Sequence, residues 1–183
     1  MEIRIHGRGG QGAVTSSQVL AIAAFIGGKQ SQAFPNFGVE RTGAPVESFV
    51  RIDEKPIMLR QQVYEPDVVI VLDPTLVTQG IDVARGMKKG GLLIVNTDKK
   101  ENELGIKGKF NIHCINITKI ALEVIGKPFV NIASLGSFAA LTDAVSLEAL
   151  KKAIAEKMSA KAAVIEFNQK AVEAVFNESK KQK

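Results

Sequence analysis

A glycine-rich segment near the start of the chain has residue types and a spacing that suit phosphate binding. The segment reads Gly7-Arg8-Gly9-Gly10-Gln11-Gly12 and matches the pattern G-x-G-x-x-G. It follows a predicted strand and precedes a predicted helix, where dinucleotide-binding proteins hold a diphosphate. Glycine lets the backbone come close to a ligand, and the free N–H groups of a helix start attract anions. Arg8 and Gln11 add side-chain donors, so the candidate chemistry is phosphate recognition.

The sequence after this glycine loop disfavours a nicotinamide cofactor. A dinucleotide site of that kind needs an acidic residue about 20 positions further on, to hold the ribose hydroxyls. Residues 29–39 contain no Asp or Glu, and the nearest acid is Glu40. The Gly-Lys-Ser/Thr signature of a nucleoside-triphosphate loop is also absent from the sequence. Two interpretations stay open from the loop alone: a phosphate cradle, or a tight turn that binds nothing.

A second candidate loop runs from Pro35 to Pro45. Its polar residues are Asn36, Glu40, Arg41 and Thr42, and Gly43 follows them. The loop follows the second predicted strand, so in a parallel sheet it would emerge beside the glycine loop, at the edge where ligands bind. Arg41 would clamp a phosphate, Glu40 would orient Arg41 or a glycine-loop amide, and Asn36 and Thr42 would add neutral hydrogen bonds. The alternative is an ordered surface loop whose Glu40 and Arg41 serve only structure.

Alternating strand and helix patterns predict the elements that position these loops. The predicted strands are Glu2–His6, Gln30–Phe34, Val46–Ile52, Asp67–Leu72, Gly91–Asn96 and Phe110–Asn116, with a possible edge segment at Ile57–Arg60. The predicted helices are Ala13–Ile26, part of Thr75–Lys88, Ile117–Ile125, a segment from about Asn131, Leu147–Met158 with Ser146 as its N-cap, and Ala162–Phe176.

This order predicts an α/β fold: a three-layer α/β/α, Rossmann-like arrangement around a mostly parallel sheet. The segment Val46–Arg60 would make the sheet mixed if it adds antiparallel strands. The sequence shows neither an internal repeat nor a Pro- or Ser-rich linker. We therefore expect one domain over residues 1–183, with a helical C-terminal extension from about residue 146.

The composition excludes several kinds of site. The chain has one cysteine, Cys114, and two histidines. An iron–sulfur cluster needs about four thiolate ligands, so this chain cannot hold one by itself. A four-ligand structural zinc site of the Cys/His kind and an internal disulfide are excluded on the same count. We therefore expect no iron–sulfur cluster and no structural zinc ion in this chain.

Charge and hydropathy predict where the protein is located in the cell and which classes of partner it lacks. The longest apolar run, Val19–Ile26, is much shorter than the roughly 20 residues of a membrane span. We expect a cytoplasmic protein that binds no membrane. Most of the net charge of +5 lies in residues 151–183, which hold eight lysines and four glutamates. Aromatic platforms are scarce there, so we expect a solvated helix face and no nucleic-acid partner.

The two loops in this order resemble the gamma subunit of 2-oxoacid:ferredoxin oxidoreductases, and most of all the pyruvate type. The resemblance covers the glycine motif Gly7–Gly12 and the second motif Ala33–Pro45. It extends over roughly residues 1–155. The further matching segments are Phe49–Ile52, Asp67–Asp73, Gly91–Asn96 and Asn131–Gly136. The 2-oxoisovalerate and 2-oxoglutarate enzymes are the near alternatives within the family.

The resemblance implies a multi-subunit enzyme that oxidatively decarboxylates a 2-oxo acid, makes an acyl-CoA and passes electrons to ferredoxin. Thiamine diphosphate, Mg²⁺ and [4Fe-4S] clusters would belong to partner chains: alpha, beta and a ferredoxin-like delta subunit. This chain would position coenzyme A and support assembly, and it would be inactive alone. Two alternatives of other classes stay open: a free-standing dinucleotide-binding domain and a purely structural scaffold.

Overall fold

The computed structural model describes residues 1–36, 42–158 and 162–182, and in them one six-stranded sheet. The strands are β1 (Glu2–Arg8), β2 (Gln30–Pro35), β3 (Pro45–Asp53), β4 (Val68–Val71), β5 (Leu92–Asn96) and β6 (Asn111–Ile115). Their order in the sheet is β2-β3-β1-β4-β5-β6. Strands β1, β4, β5 and β6 are parallel to one another, whereas β3 is antiparallel to both of its neighbours. The predicted α/β class and the mixed sheet are confirmed.

One face of the sheet carries the larger core. The helices are α1 (Ala13–Ile26), α2 (Thr75–Thr78), α3 (Ile117–Ile125), α4 (Val130–Thr142), α5 (Leu147–Lys157) and α6 (Ala162–Lys181). Residues of α1, α3, α4, α5 and α6 pack with Val68 and Ile70 of β4. The N-cap of α5 is Ser146, whose hydroxyl accepts a hydrogen bond from the N–H of Ala149, as the sequence predicts. The predicted C-terminal helices are therefore part of the main core.

The opposite face is covered more thinly, mainly by irregular segments. Val69 and Val71 of β4 point to this side because side chains alternate along a strand, and they pack with Leu76 and Val83. Only Thr75–Thr78 of the predicted segment Thr75–Lys88 is an α-helix. Gly80 follows with φ +79, a left-handed conformation that ends a helix.

The predicted edge segment Ile57–Arg60 is wrong: it has no strand structure and Met58 is 86% exposed. Strand β3 already pairs with β2 on one side and with β1 on the other. A further strand after β3 therefore cannot pair with β3, because both hydrogen-bonding edges of β3 are occupied. Pro56, which has no N–H to donate, also stands at the start of the segment.

The sheet topology brings the two candidate loops to the same edge. Strands β1 and β2 run in the same direction because the antiparallel β3 lies between them. The register pairs Arg8, at the end of β1, with Pro45, at the start of β3. The glycine loop and the second loop therefore meet at the carboxyl edge, although β1 and β2 are not neighbours as a simple parallel order would make them.

No single helix within the described residues is long and apolar enough to cross a membrane. One pair, α3 with α4, passes the same test of length and composition when taken together, and is bent by 116° at the break between them. Most of α4 is buried within the protein.

Candidate functional site

The glycine loop itself spans Gly9 to Gly12. Strand β1 continues through Gly7 and Arg8, two residues further than predicted, because these residues pair with Val46 and Pro45 of β3. The turn therefore begins at Gly9. Gly10 and Gly12 have φ values of +92 and +80, which are left-handed conformations that glycine adopts readily.

The start of α1 carries a partial positive charge that no side chain offsets among the described residues. Its N-cap is Gly12, which makes no side-chain capping bond, and the first turn of the helix contains no acidic residue. The first N–H groups of a helix lack partners within the helix and attract anions. The loop and the helix start together form a row of backbone donors.

A second helix start lies beside the first. Helix α4 begins at Val130, and the side-chain amide of Asn131 lies against Gly12, with 3.5 Å from its Nδ2 to the Gly12 carbonyl oxygen. A Cβ at Gly12 would overlap Asn131 Nδ2 and lie 3.1 Å from Asn131 Cγ. The positive φ of Gly12 favours glycine at this position, and any larger residue would also have to displace the side-chain amide of Asn131.

The second loop is joined to the glycine loop by backbone hydrogen bonds. The N–H of Gly9 donates to the Ala44 carbonyl at 2.8 Å, and the N–H of Gly43 donates to the Gly9 carbonyl at 3.0 Å. Thr42 pairs with Gly9 as an isolated parallel bridge. These contacts place Thr42 and Gly43 directly beside the row of backbone donors.

Asn36 marks the other end of the second loop, next to β3. Its N–H donates to the Glu47 carbonyl at 2.9 Å, and its side-chain amide donates to the Glu47 carboxylate at 3.2 Å. Glu40 and Arg41, two of the predicted site residues, lie outside the described residues. Their assigned roles therefore stay predictions.

Arg8 and Gln11 point toward the end of β4. Arg8 Nε and Gln11 Nε2 donate to the same carboxylate oxygen of Asp73, at 3.0 and 2.9 Å. The sequence interpretation gave Arg8 and Gln11 to the ligand, whereas the structure directs both side chains to Asp73. Asp73 follows a central parallel strand, and that position was the signal that could have placed it at this edge.

A buried polar chain lies beneath the site, on the thinly covered face of the sheet. Arg4 is 1% exposed, and its Nε donates to His6 Nε2 at 2.9 Å. Burial, with the nearby charges of Arg4 and Arg85, lowers the pKa of His6 to about 3. His6 is therefore a neutral acceptor near the end of β1.

The other groups with reactive side chains do not converge on the loops. Cys114 and His113 are adjacent in β6, so their side chains point to opposite faces of the sheet. Burial, followed by the charges of Glu101 and Glu103, raises the pKa of the Cys114 thiol, which keeps it protonated. Within the described residues, no group of three or more His, Cys, Asp or Glu side chains could hold a metal ion.

Comparisons with known proteins agree on one family. The profile described as pyruvate ferredoxin/flavodoxin oxidoreductase matches residues 2–178. The chain is 52% identical over 182 residues to the pyruvate/ketoisovalerate oxidoreductases common subunit gamma of Thermococcus kodakarensis, covering 98% of this chain and 97% of that relative.

Two solved structures share the fold. The pyruvate oxidoreductase subunit PORC of Thermotoga maritima has a TM-score of 0.83 and 41% identity, over 97% of this chain and 95% of that one. The 2-oxoglutarate:ferredoxin oxidoreductase of Magnetococcus marinus, solved with 2-oxoglutarate, coenzyme A and succinyl-CoA bound, has a TM-score of 0.81 and 22% identity. That match covers 99% of this chain and 31% of the other.

Proposed function

The chain belongs to the pyruvate ferredoxin/flavodoxin oxidoreductase family, as a gamma subunit, and from this premise we propose that it positions coenzyme A. One observation carries the proposal. The glycine loop and the second loop are hydrogen-bonded to each other at the carboxyl edge, over the start of α1. Coenzyme A carries a diphosphate and a further phosphate, which are the groups such a row of donors attracts. An enzyme of this fold solved with coenzyme A bound supports the proposal.

Backbone amides supply most of the proposed contacts. The N–H groups of Gly10 and Gly12, with those of the first turn of α1, face a phosphate, and Gly9 holds the second loop. Arg41 neutralises phosphate charge and Glu40 orients it, while Asn36, Thr42 and Gly43 shape the rim. The other predicted residues support the loop without facing the phosphate. Gly7 pairs with β3, and the side chains of Arg8 and Gln11 make hydrogen bonds to other residues of the chain. None of these residues forms a covalent bond to the substrate.

The redox chemistry is assigned to companion chains. One cysteine and the lack of a metal-binding cluster among the described residues do not fit a [4Fe-4S] cluster in this chain. We assign the clusters, thiamine diphosphate and Mg²⁺ to alpha, beta and ferredoxin-like delta subunits. In the overall reaction the 2-oxo acid loses carbon dioxide, its acyl group joins the sulfur of coenzyme A, and two electrons pass singly to ferredoxin.

Pyruvate is the proposed substrate of the complex, with 2-oxoisovalerate and 2-oxoglutarate as alternatives. The Thermococcus relative is named as a gamma subunit common to pyruvate and ketoisovalerate enzymes. This naming supports substrate selection by other subunits. The single cysteine suits a reducing compartment, so we propose a cytoplasmic complex.

Arg41→Ala tests the proposed function. In the assembled enzyme we expect the KM for coenzyme A to rise by about tenfold to a hundredfold, because a hydrogen bond to a charged group is lost. The KM for the 2-oxo acid and kcat at saturating coenzyme A should stay unchanged, since the contact contributes only binding. Arg60→Ala is the control, because Arg60 is an exposed arginine in the irregular segment after β3. Equal KM values for coenzyme A in wild type and Arg41→Ala would contradict the assigned role.

A further inference from the structure

The Arg8 side chain makes hydrogen bonds to several other parts of the chain. Besides its bond to Asp73, its Nη1 donates to the Gly43 carbonyl at 3.0 Å. Its Nη2 donates to Thr75 Oγ1 at 2.6 Å and to Gln79 Oε1 at 2.8 Å. A guanidinium has five N–H donors, and four of them are used here. Arg8 therefore connects β1 to the second loop and to the α2 region.

The Asp73 carboxylate is the centre of this arrangement. One oxygen accepts from Arg8 and Gln11, as described above, and the other accepts from the N–H and the hydroxyl of Thr75 at 2.9 and 2.6 Å. A carboxylate has about four acceptor sites, so all are occupied. The side-chain carbonyl of Gln11 in turn accepts the N–H of Arg8 at 2.8 Å. Asp73 thus holds the end of β1 through Arg8 and the glycine loop through Gln11.

The electrostatics keep this carboxylate charged. Burial of Asp73 opposes ionisation, but hydrogen bonds from Thr75 and Gln11 and the charge of Arg8 outweigh it and hold its pKa below the usual value. The side chains of Asp73 and Arg8 are only 13% and 18% exposed, so water screens their attraction less than on an open surface. The ion pair with Asp73 therefore helps to hold Arg8 in the position from which it reaches the Gly43 carbonyl.

We propose that Asp73 is a positioning residue for coenzyme A: it fixes the glycine loop and, through Arg8, the second loop, in the arrangement that meets the phosphates. The inference rests on the proposed function of these loops. Asp73 itself does not contact coenzyme A. Asp73 contributes by preorganising the loops, so that their backbone donors need less ordering when coenzyme A binds.

The test is Asp73→Asn in the assembled enzyme. An amide keeps one acceptor oxygen, but its NH₂ group must face either the Arg8 and Gln11 donors or the Thr75 donors. We expect the KM for coenzyme A to rise by about tenfold, because hydrogen bonds to a charged group are lost. Both kcat at saturating coenzyme A and the KM for the 2-oxo acid should stay at their wild-type values.

Asp67→Asn is the matched control. Asp67 lies at the other end of β4, where it accepts from the N–H of Glu2 and from Lys88 Nζ at 2.7 Å. Asp67→Asn should also lower the stability of the chain, because hydrogen bonds to a carboxylate are lost. It should leave the KM for coenzyme A unchanged. An equal rise of that KM in both variants would show a general structural effect and overturn the proposal.

A double variant, Asp73→Asn with Gln11→Glu, provides the rescue. The glutamate introduced at position 11 offers acceptors to both the Arg8 N–H and the amide introduced at position 73. We expect it to recover part of the lost affinity for coenzyme A.

If Asp73→Asn prevents assembly, Thr75→Val provides a milder test, because it removes one exposed hydroxyl from the same cluster. It should raise the KM for coenzyme A about threefold. An unchanged KM for coenzyme A in Thr75→Val overturns the proposal.

The results separate this inference from the proposed function. If Arg41→Ala raises the KM for coenzyme A and Asp73→Asn does not, the positioning role is overturned and the binding site stands. If neither variant changes that KM, the loops do not bind coenzyme A, and both proposals fall together.

Discussion

Gly10→Asp is expected to raise the KM for coenzyme A by at least about tenfold in the assembled enzyme, with kcat at saturating coenzyme A unchanged. Gly10 has φ +92, and a Cβ built there meets nothing within 4 Å among the described residues. The new side chain therefore enters open space at the proposed phosphate site. Two like charges at about 4 Å repel by roughly 4 kcal/mol near a protein surface, before screening by salt, and tenfold in affinity is about 1.4 kcal/mol.

The matched control for this prediction is Gly28→Asp. Gly28 has φ +83 and is equally open, but it lies just after the other end of α1. Both substitutions add one negative charge at a left-handed glycine, so they carry similar backbone strain. Steady-state kinetics with varied coenzyme A should separate them. A rise of the KM for coenzyme A in Gly28→Asp as large as that in Gly10→Asp would exclude a local effect at the loop.

Gly136→Ala is expected to destabilise the chain by about 2–3 kcal/mol, through overpacking at the contact between α4 and α6. A Cβ at Gly136 would overlap the Val172 carbonyl oxygen and lie 2.8 Å from the Phe176 backbone nitrogen. Both atoms belong to the backbone of α6, so no side-chain rotation can relieve the overlap. The separation of α4 and α6 would have to increase, and we expect the Tm to fall by roughly 5–10 °C.

Gly126→Ala provides the comparison for Gly136→Ala. Gly126 caps α3 with φ +66, and a Cβ there meets nothing within 4 Å among the described residues. The cost of this variant comes from backbone conformation alone and should be about 1 kcal/mol. Thermal unfolding followed by circular dichroism measures both changes. A smaller loss of stability for Gly136→Ala than for Gly126→Ala would contradict the close packing of α4 on α6.

Elements with a strong local pattern could be predicted from the sequence. Helices Ala13–Ile26 and Ile117–Ile125 have the predicted bounds, because glycine or a polar residue stands at their ends. The apolar strand β4 is also found within its predicted range. Prediction failed for Ile57–Arg60, whereas the prediction of partial helix in Thr75–Lys88 is confirmed at Thr75–Thr78. Whether an apolar segment joins a sheet depends on a free neighbouring edge, and local sequence does not reveal that edge.

The candidate site could likewise be predicted from the sequence only in part. The sequence identified the glycine loop and the second loop, because glycine spacing and polar residues are visible in the chain. It assigned Arg8 to the ligand, whereas the structure directs Arg8 to Asp73, 65 positions away. Asn131 lies against Gly12 across 119 positions. Such contacts depend on the order of strands in the sheet, which spacing along the chain does not determine.

Amide hydrogen exchange in the assembled enzyme tests the central claim most directly, because it reports on the proposed backbone donors themselves. The peptide that covers residues 9–13 should exchange more slowly when coenzyme A is added, since its N–H groups then donate to phosphate. Addition of NADH should leave its exchange unchanged. Unchanged exchange in this peptide at saturating coenzyme A, or slower exchange with NADH, would contradict the claim that these loops position coenzyme A.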